Sequence, residues 1–340
     1  MPQKAFLLTL LLLLTCSIPA FADIKVESDT IAGLNSGNSN NSWDTGFITD
    51  GNWSLGSNLA FFLKDELEIS QTDQEWLGTL DRCYLRYEQG PVRFNLGRQG
   101  VTWGIGWFFR PTDLITPLTP LAEEETRPGK DLAVLRWSTS PVTAIDFIGG
   151  EEVIAARYEW RIGPTNLRVL GVYQPGYIDT LGYDFQGGLA GLYGEGAYRW
   201  ADTEASDQGR FMGLLGWQKV IGAGNQLYVE YYRNDLCKAG PELANLVAQN
   251  LNHEFFYTNQ NYLAVGFQIP WDQLTTVAIT GISSPDDGGM ILEGVADLQL
   301  TDNLEVRGIL MTLIGPTDTE FWMLGQGSRA GVSLEVKYFF

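Results

Sequence analysis

The side chains able to do chemistry in this 340-residue chain are mostly arginines and carboxylates. The single histidine, His253, lies in a polar stretch between Asn252 and Glu254 with no serine motif nearby. Neither a histidine acid–base centre nor a zinc site with two imidazoles is expected from it. No CxxCH haem signature and no EF-hand spacing occur. The Gly104–Gly106 pair lacks the βαβ frame of a nucleotide loop. The chain is therefore not expected to be an enzyme or to hold a metal or cofactor.

What remains is electrostatic. Arg82, Arg86, Arg93, Arg157, Arg161, Arg168 and Arg199 share one parity of a series of alternating runs. Glu88, Glu159, Glu195, Glu230, Glu293, Asp297, Glu305 and Glu335 share it too. Successive residues of a strand point to opposite faces, so each set belongs to one side of a sheet. The arginines crowd into the earlier runs and the acids into the later ones, with Arg307 and Lys337 as exceptions. Either a basic and an acidic wall face each other across a wet lumen and select ions, or the charges pair between strands.

The elements that would position these charges are strands. Within Val153–Ile162, Ile154, Ala156, Tyr158, Trp160 and Ile162 alternate with Arg157, Glu159 and Arg161. Short turns such as Gln89-Gly90-Pro91, Gly163-Pro164 and Thr301-Asp302-Asn303 alternate with long polar connections. Outer-membrane barrels have this rhythm, short periplasmic turns against longer outer loops. The spacing predicts an all-β transmembrane antiparallel barrel over 54–340 with about 16 strands, 14 or 18 being the alternatives. Gly187–Gly191 must hold a turn for the up–down order to survive. Tyr87, Trp137, Trp160, Trp217, Trp271 and Tyr338 then fall at periplasmic ends, and Tyr173, Trp200, Tyr231 and Trp322 at outer ends.

Lys4, the apolar run Ala5–Leu14 and the small-x-small ending Ala20-Phe21-Ala22 mark 1–22 as a secretory signal peptide. Residues 23–53, with the polar run Asn35–Ser42, read as a periplasmic or lumenal lead-in, unless Ile24–Leu34 adds a strand. With 22 Lys+Arg against 41 Asp+Glu the net charge is −19, which excludes nucleic acid as a partner. Mean hydropathy is −0.07, as alternation hides an apolar face inside an average.

The last run, Ala330–Phe340, alternates and stops on Phe. There the chain resembles Gram-negative outer-membrane β-barrels of porin type, whose final strand signals to the barrel-assembly machinery; Tyr338 and Phe340 would carry that signal. A second resemblance lies in Gly97-Arg98-Gln99, Trp103-Gly104, Pro111-Thr112-Asp113 and Arg127-Pro128-Gly129. Some poorly characterised porin-like barrels show a similar run. The likeness implies a cell outer-membrane channel for small polar or anionic solutes, oriented by a transverse field. It implies lipid and lipopolysaccharide as surroundings, with self-association left open. A non-conducting barrel sheathing a partner such as a cytochrome, and a dedicated exporter or importer of an anionic substrate, are the alternatives.

The connection Trp103–Lys130 is the expected constriction. Its prolines disfavour pairing, and Ile105, Trp107, Phe108, Phe109, Leu114 and Ile115 would be costly to leave in water unless the segment folds inward. A surface loop or a subunit contact is the alternative. Trp107, Arg110, Asp113 and Glu123 would then border the opening. Glu123–Glu125, Asp286-Asp287 and Asp318/Glu320 read as solvated acids, or as ligands for Ca²⁺ or Mg²⁺ bridging lipopolysaccharide. Cys83 and Cys237 are expected as free thiols. Arg98 takes the outward parity, to be resolved by a bulge at Gly97 or by burial under the loop.

Overall fold

The computed structural model describes residues 23–34, 42–55, 57–70, 76–116, 129–174, 178–188, 190–201, 210–222, 224–235, 259–324 and 330–339. Eighteen strands are found among them: β1 (Asp23–Leu34), β2 (Ser42–Ser54), β3 (Leu59–Ser70), β4 (Trp76–Gln89), β5 (Val92–Gln99), β6 (Lys130–Ser140), β7 (Thr143–Gly150), β8 (Ile154–Ile162) and β9 (Thr165–Tyr173), followed by β10 (Ile178–Gln186), β11 (Leu192–Ala201), β12 (Arg210–Ile221), β13 (Asn225–Asn234), β14 (Asn261–Pro270), β15 (Thr275–Ser283), β16 (Met290–Thr301), β17 (Leu304–Ile314) and β18 (Ala330–Phe339). A short helix, α1 (Glu320–Leu324), sits in the β17–β18 connection.

Every strand pairs antiparallel with its sequence neighbour, in a single sheet. β1 also pairs antiparallel with β18, from Glu27 opposite Phe339 to Leu34 opposite Val332. The ring is therefore closed, and a closed all-antiparallel ring requires an even number of strands. The sixteen runs read from sequence correspond to β3–β18. Residues 23–53 correct the expected lead-in: they supply two strands, so the count rises to the higher alternative with parity intact. One parity of β2 carries Trp43, Phe47 and Trp53, an alternation that the neighbouring Asn/Ser run obscures.

The two faces invert the pattern of a soluble protein. Leu96, Val169, Leu181, Leu215 and Leu310 point out of the barrel and are 52–60% exposed. Tyr193, Leu170, Met212 and Tyr262, on the inward parity, are buried. An apolar exterior on this scale is what hydrocarbon, not water, tolerates. Exposed Tyr87, Trp137, Trp160 and Trp271 gather near the short-turn end, with Tyr173 and Tyr231 at the other. The turn at 187–191 forms through positive φ at Gly187, Gly188 and Gly191, and Ala190 also adopts φ 53°.

Residues 1–22, where a signal peptide is expected, and Glu123–Glu125, Cys237, His253 and Phe340 lie outside the described residues. Cys83 is a free thiol.

Candidate functional site: a loop seated across the lumen

Residues 100–116 run inward from the end of β5. Their apolar side chains divide between two walls. Trp103, Leu114 and Ile115 pack with Leu132, Ile148, Val153, Ala155, Leu170 and Val172 of the β6–β9 side. Phe109, with Ile105 and Phe108 against it, packs with Tyr193, Met212, Leu214, Tyr232, Tyr262 and Ile282 of β11–β15. Burying this surface is the driving force anticipated from composition. The polar backbone between the two apolar patches needs partners too, because an unpaired buried N–H is costly.

Two buried glutamates supply them. Glu230 on β13 accepts the successive N–H groups of Trp107 (2.6 Å), Phe108 (3.0 Å) and Phe109 (3.1 Å), and the Tyr193 hydroxyl at 2.7 Å. Three consecutive amides turned toward one carboxylate form an anion-holding nest. Glu195 on β11 accepts the N–H groups of Ile105 (3.2 Å), Gly106 (2.9 Å) and Thr112 (3.1 Å), and the Thr112 hydroxyl. All eight contacts come from donors, so ionised carboxylates, which only accept, satisfy them all. Arg199 completes the seat by donating to the Pro111 carbonyl at 3.2 Å.

These contacts correct part of the expected pore lining. Glu195, Glu230 and Arg199 do face inward, but the loop covers them and they are 4% exposed or less. They anchor the loop instead of lining open lumen. Asp113 is likewise buried, its Oδ1 accepting the Trp103 N–H at 3.3 Å inside the loop, so it places no acid at the opening. Arg110 is half-buried and donates to the Gly106 carbonyl. Trp107 alone of the loop aromatics is strongly exposed, tilted 42° against Tyr228 with ring centroids 4.1 Å apart and its indole N–H on Gln218.

The remaining lumenal charges are partly paired. Asp146 sits between Arg136 (3.2 Å) and Arg157 (2.7 Å), Glu159 accepts Arg136 at 2.9 Å, and Arg168 holds Asp184 at 2.7 Å. Arg157 also lies 4.9 Å from the Trp103 ring centroid, tying this network to the loop. Arg93 pairs with Glu88, and Arg82 stands 3.6 Å from Asp81. On the other side Asp297 pairs with Arg307 at 3.3 Å and Glu335 with Lys337 at 3.3 Å, while Glu293 and Glu305 are half-buried. Cross-strand pairing thus accounts for much of the β6–β10 basic wall. Arg161 is exposed with Asn166 as its partner.

Arg98 needs no bulge in register: Gly97 takes φ 126°, and Arg98 stays outward at the strand end, paired in bidentate fashion with Asp131 at 3.0 and 2.9 Å. Its neighbour Gln99 is buried and donates to the Leu132 carbonyl, so Gly97-Arg98-Gln99 forms the root of the loop.

A second set of contacts closes the loop-bearing end. Asp287 accepts the Glu320 N–H that opens α1 (2.9 Å), the Gly289 N–H (2.8 Å) and the Asn259 amide (2.8 Å). Asp286 accepts the N–H groups of Gln260 and Asn261, both at 2.8 Å, and the Asn261 amide. Partial burial pushes each carboxyl up, but these donors outweigh it and hold both below the usual carboxylate range. Glu320 accepts the Tyr262 hydroxyl, and Phe321 joins the Phe109 cluster. Asp286, Asp287 and Glu320 therefore latch loops together. Asp318 is exposed.

No family model and no curated protein matches the sequence. Solved structures do match in shape. Pseudomonas aeruginosa OccK2 (OpdF), in complex with glucuronate, aligns with TM-score 0.61 at 11% identity over 94% of this chain and 98% of that one. Pseudomonas aeruginosa OccD3 (OpdP) aligns with TM-score 0.60 at 10% identity over 94% and 91%. A Rhodopseudomonas blastica porin triple mutant aligns with TM-score 0.50 at 11% identity over 94% and 100%. At such identities the likeness is one of fold: the barrel described above has the fold of these porins.

Proposed function

We propose that this protein is an outer-membrane porin through which small polar or anionic solutes diffuse, with residues 100–116 narrowing the path. The observation that carries the reading is the inward seating of that segment on Glu195 and Glu230 inside a closed barrel with an apolar exterior. A barrel wall of this kind suits the bilayer, and its charged interior suits water and ions. Because the described part of the loop packs against β6–β9 on one side and β11–β15 on the other, the path in this reading runs beside β2–β5 and β16–β18. Arg82, Arg86 and Arg93 line one flank of that path, and Glu293, Asp297, Glu305 and Glu335 the other. A barrel built to sheathe a protein partner would need this space, so the seated loop weighs against that alternative.

The C-terminal strand, with Tyr338 and Phe340, serves the barrel-assembly machinery in this reading, and 1–22 directs export. The glucuronate bound to OccK2 makes sugar acids reasonable first solutes to try. Purified protein in a planar bilayer should give discrete, stepwise conductance in potassium chloride. Properly folded barrel that never raises conductance would sink the proposal.

A further inference from the structure

The lumenal arginines differ in what holds them. Arg136, Arg157 and Arg168 rest on Asp146, Glu159 and Asp184, Arg93 on Glu88, and Arg82 lies near Asp81. Arg86 is held by neutral groups. Its Nε donates to Asn95 Oδ1 at 3.3 Å and its Nη2 to the Tyr84 hydroxyl at 3.1 Å. The guanidinium carbon lies 4.5 Å from the Phe62 ring centroid, and Phe62 stacks on Tyr84 with centroids 4.7 Å apart and planes 7° from parallel.

This support is itself fixed. Asn95 gives its amide to Gln99 Oε1 at 3.0 Å, and Gln99, 3% exposed, donates onward to the Leu132 carbonyl at 3.1 Å. A chain of oriented amides thus runs from the loop root to Arg86 and sets which way Asn95 points. The result is a cation locked in position with no counter-charge on it among the described residues. Arg161 also has a neutral partner, but it is exposed near the short-turn end, where water and salt screen it.

A guanidinium carries five N–H donors in a planar fork. Asn95 and Tyr84 take two, leaving three, both of those on Nη1 among them. With Phe62 against its face, the open edge suits a group that accepts two parallel hydrogen bonds, which is how guanidinium binds oxyanions. We infer that Arg86, backed by Phe62, Tyr84 and Asn95, is a built oxyanion site on the lumen wall and sets the preference of the path for solutes bearing such a group. The selectivity half of this rests on the porin reading; the binding half does not.

Two measurements separate them. Calorimetric titration of the purified full-length barrel in non-ionic detergent at low salt uses sodium sulfate as the probe. Arg86→Gln should weaken sulfate binding at least about tenfold, a single charge-assisted fork being lost. Arg86→Lys should weaken it less, keeping charge without the fork. Arg233→Gln, which removes the same charge from an exposed outward position, should leave it unchanged. In a bilayer under a potassium chloride gradient, Arg86→Gln should lower the anion-over-cation permeability ratio roughly fivefold, as expected for one charge at contact distance in water. No sulfate binding by the parent, or equal binding by parent and Arg86→Gln, overturns the site. Sulfate binding lost in Arg86→Gln with selectivity unmoved overturns the selectivity role. Arg86-dependent binding by a barrel that never conducts removes the porin reading and leaves the site standing.

Discussion

Replacing Glu230 by Gln tests the seating of the loop at its strongest point. The two side chains have the same shape, but the amide accepts at one end only. Each Glu230 oxygen now takes two donors, Oε1 from Trp107 N–H and Tyr193 hydroxyl, Oε2 from Phe108 and Phe109 N–H. With –NH₂ in the place of Oε2, the Phe108 and Phe109 N–H groups both face a donor; with –NH₂ in the place of Oε1, the Trp107 N–H does, while the Tyr193 hydroxyl can turn to accept. A hydrogen bond to a charged group contributes about 1.5–3 kcal/mol against about 1 for a neutral one, so losing at least one bond and the charge on the others costs the seated loop roughly 3–6 kcal/mol. With 1.4 kcal/mol to each factor of ten, amide hydrogen exchange at 105–112 should quicken by about two to four orders of magnitude in the detergent-solubilised barrel. Amides of β12–β14 away from residue 230 should hold their protection, since their ladders do not pass through the side chain. Protection at 107–109 within about tenfold of the parent would refute the idea that this carboxylate holds the loop.

Further outcomes follow from the charge network and the outer latch. Asp146→Asn leaves Arg136 and Arg157 adjacent without their shared counter-ion, and should lower resistance to unfolding by about 3 kcal/mol, read from a urea titration in detergent. The latch built on Asp286 and Asp287 should depend on pH. Both are depressed in the folded state, so their contribution is fully present above the unfolded carboxylate value of about 3.9 and fades as pH falls through the lower folded one. Protease access or hydrogen exchange at 259–261 and 284–289 should be unchanged at pH 5 and rise below about pH 3.5.

Much of this arrangement could be read from residue order because strands have a period of two. Ile154, Tyr158 and Trp160 alternate with Arg157 and Glu159 so regularly that face and neighbour follow directly. β1 and β2 were harder: their alternation is written in Ile24, Val26, Thr30 and Trp43, Phe47, Trp53, with the Asn/Ser run between them. Parity assigned Arg157 and Arg168 a side but not a partner, and Arg136, which shares Asp146 with Arg157, was passed over. Asp146 and Arg157 meet only because β7 and β8 pair in one register. The inward course of 100–116 was legible in its aromatic residues, whose exposure would be costly. The role of Glu195 and Glu230 was not. Their partners are backbone N–H groups, which every residue but proline has, so no side-chain pattern advertises them.

The span of those contacts also orders events during biogenesis. Trp107 and Glu230 are 123 positions apart, and Thr112 and Glu195 are 83 apart. A segment that follows the fifth strand has no complete berth until the thirteenth is in place, and long-range closure of this kind comes late because its entropy must be met first. A half-built barrel that ends at β9 therefore has a wall for Leu114 and Ile115 but carries Phe109 uncovered. Ordering of that segment marks the moment when most of the wall has joined, and truncation anywhere before β13 would leave a sticky intermediate, not a smaller pore.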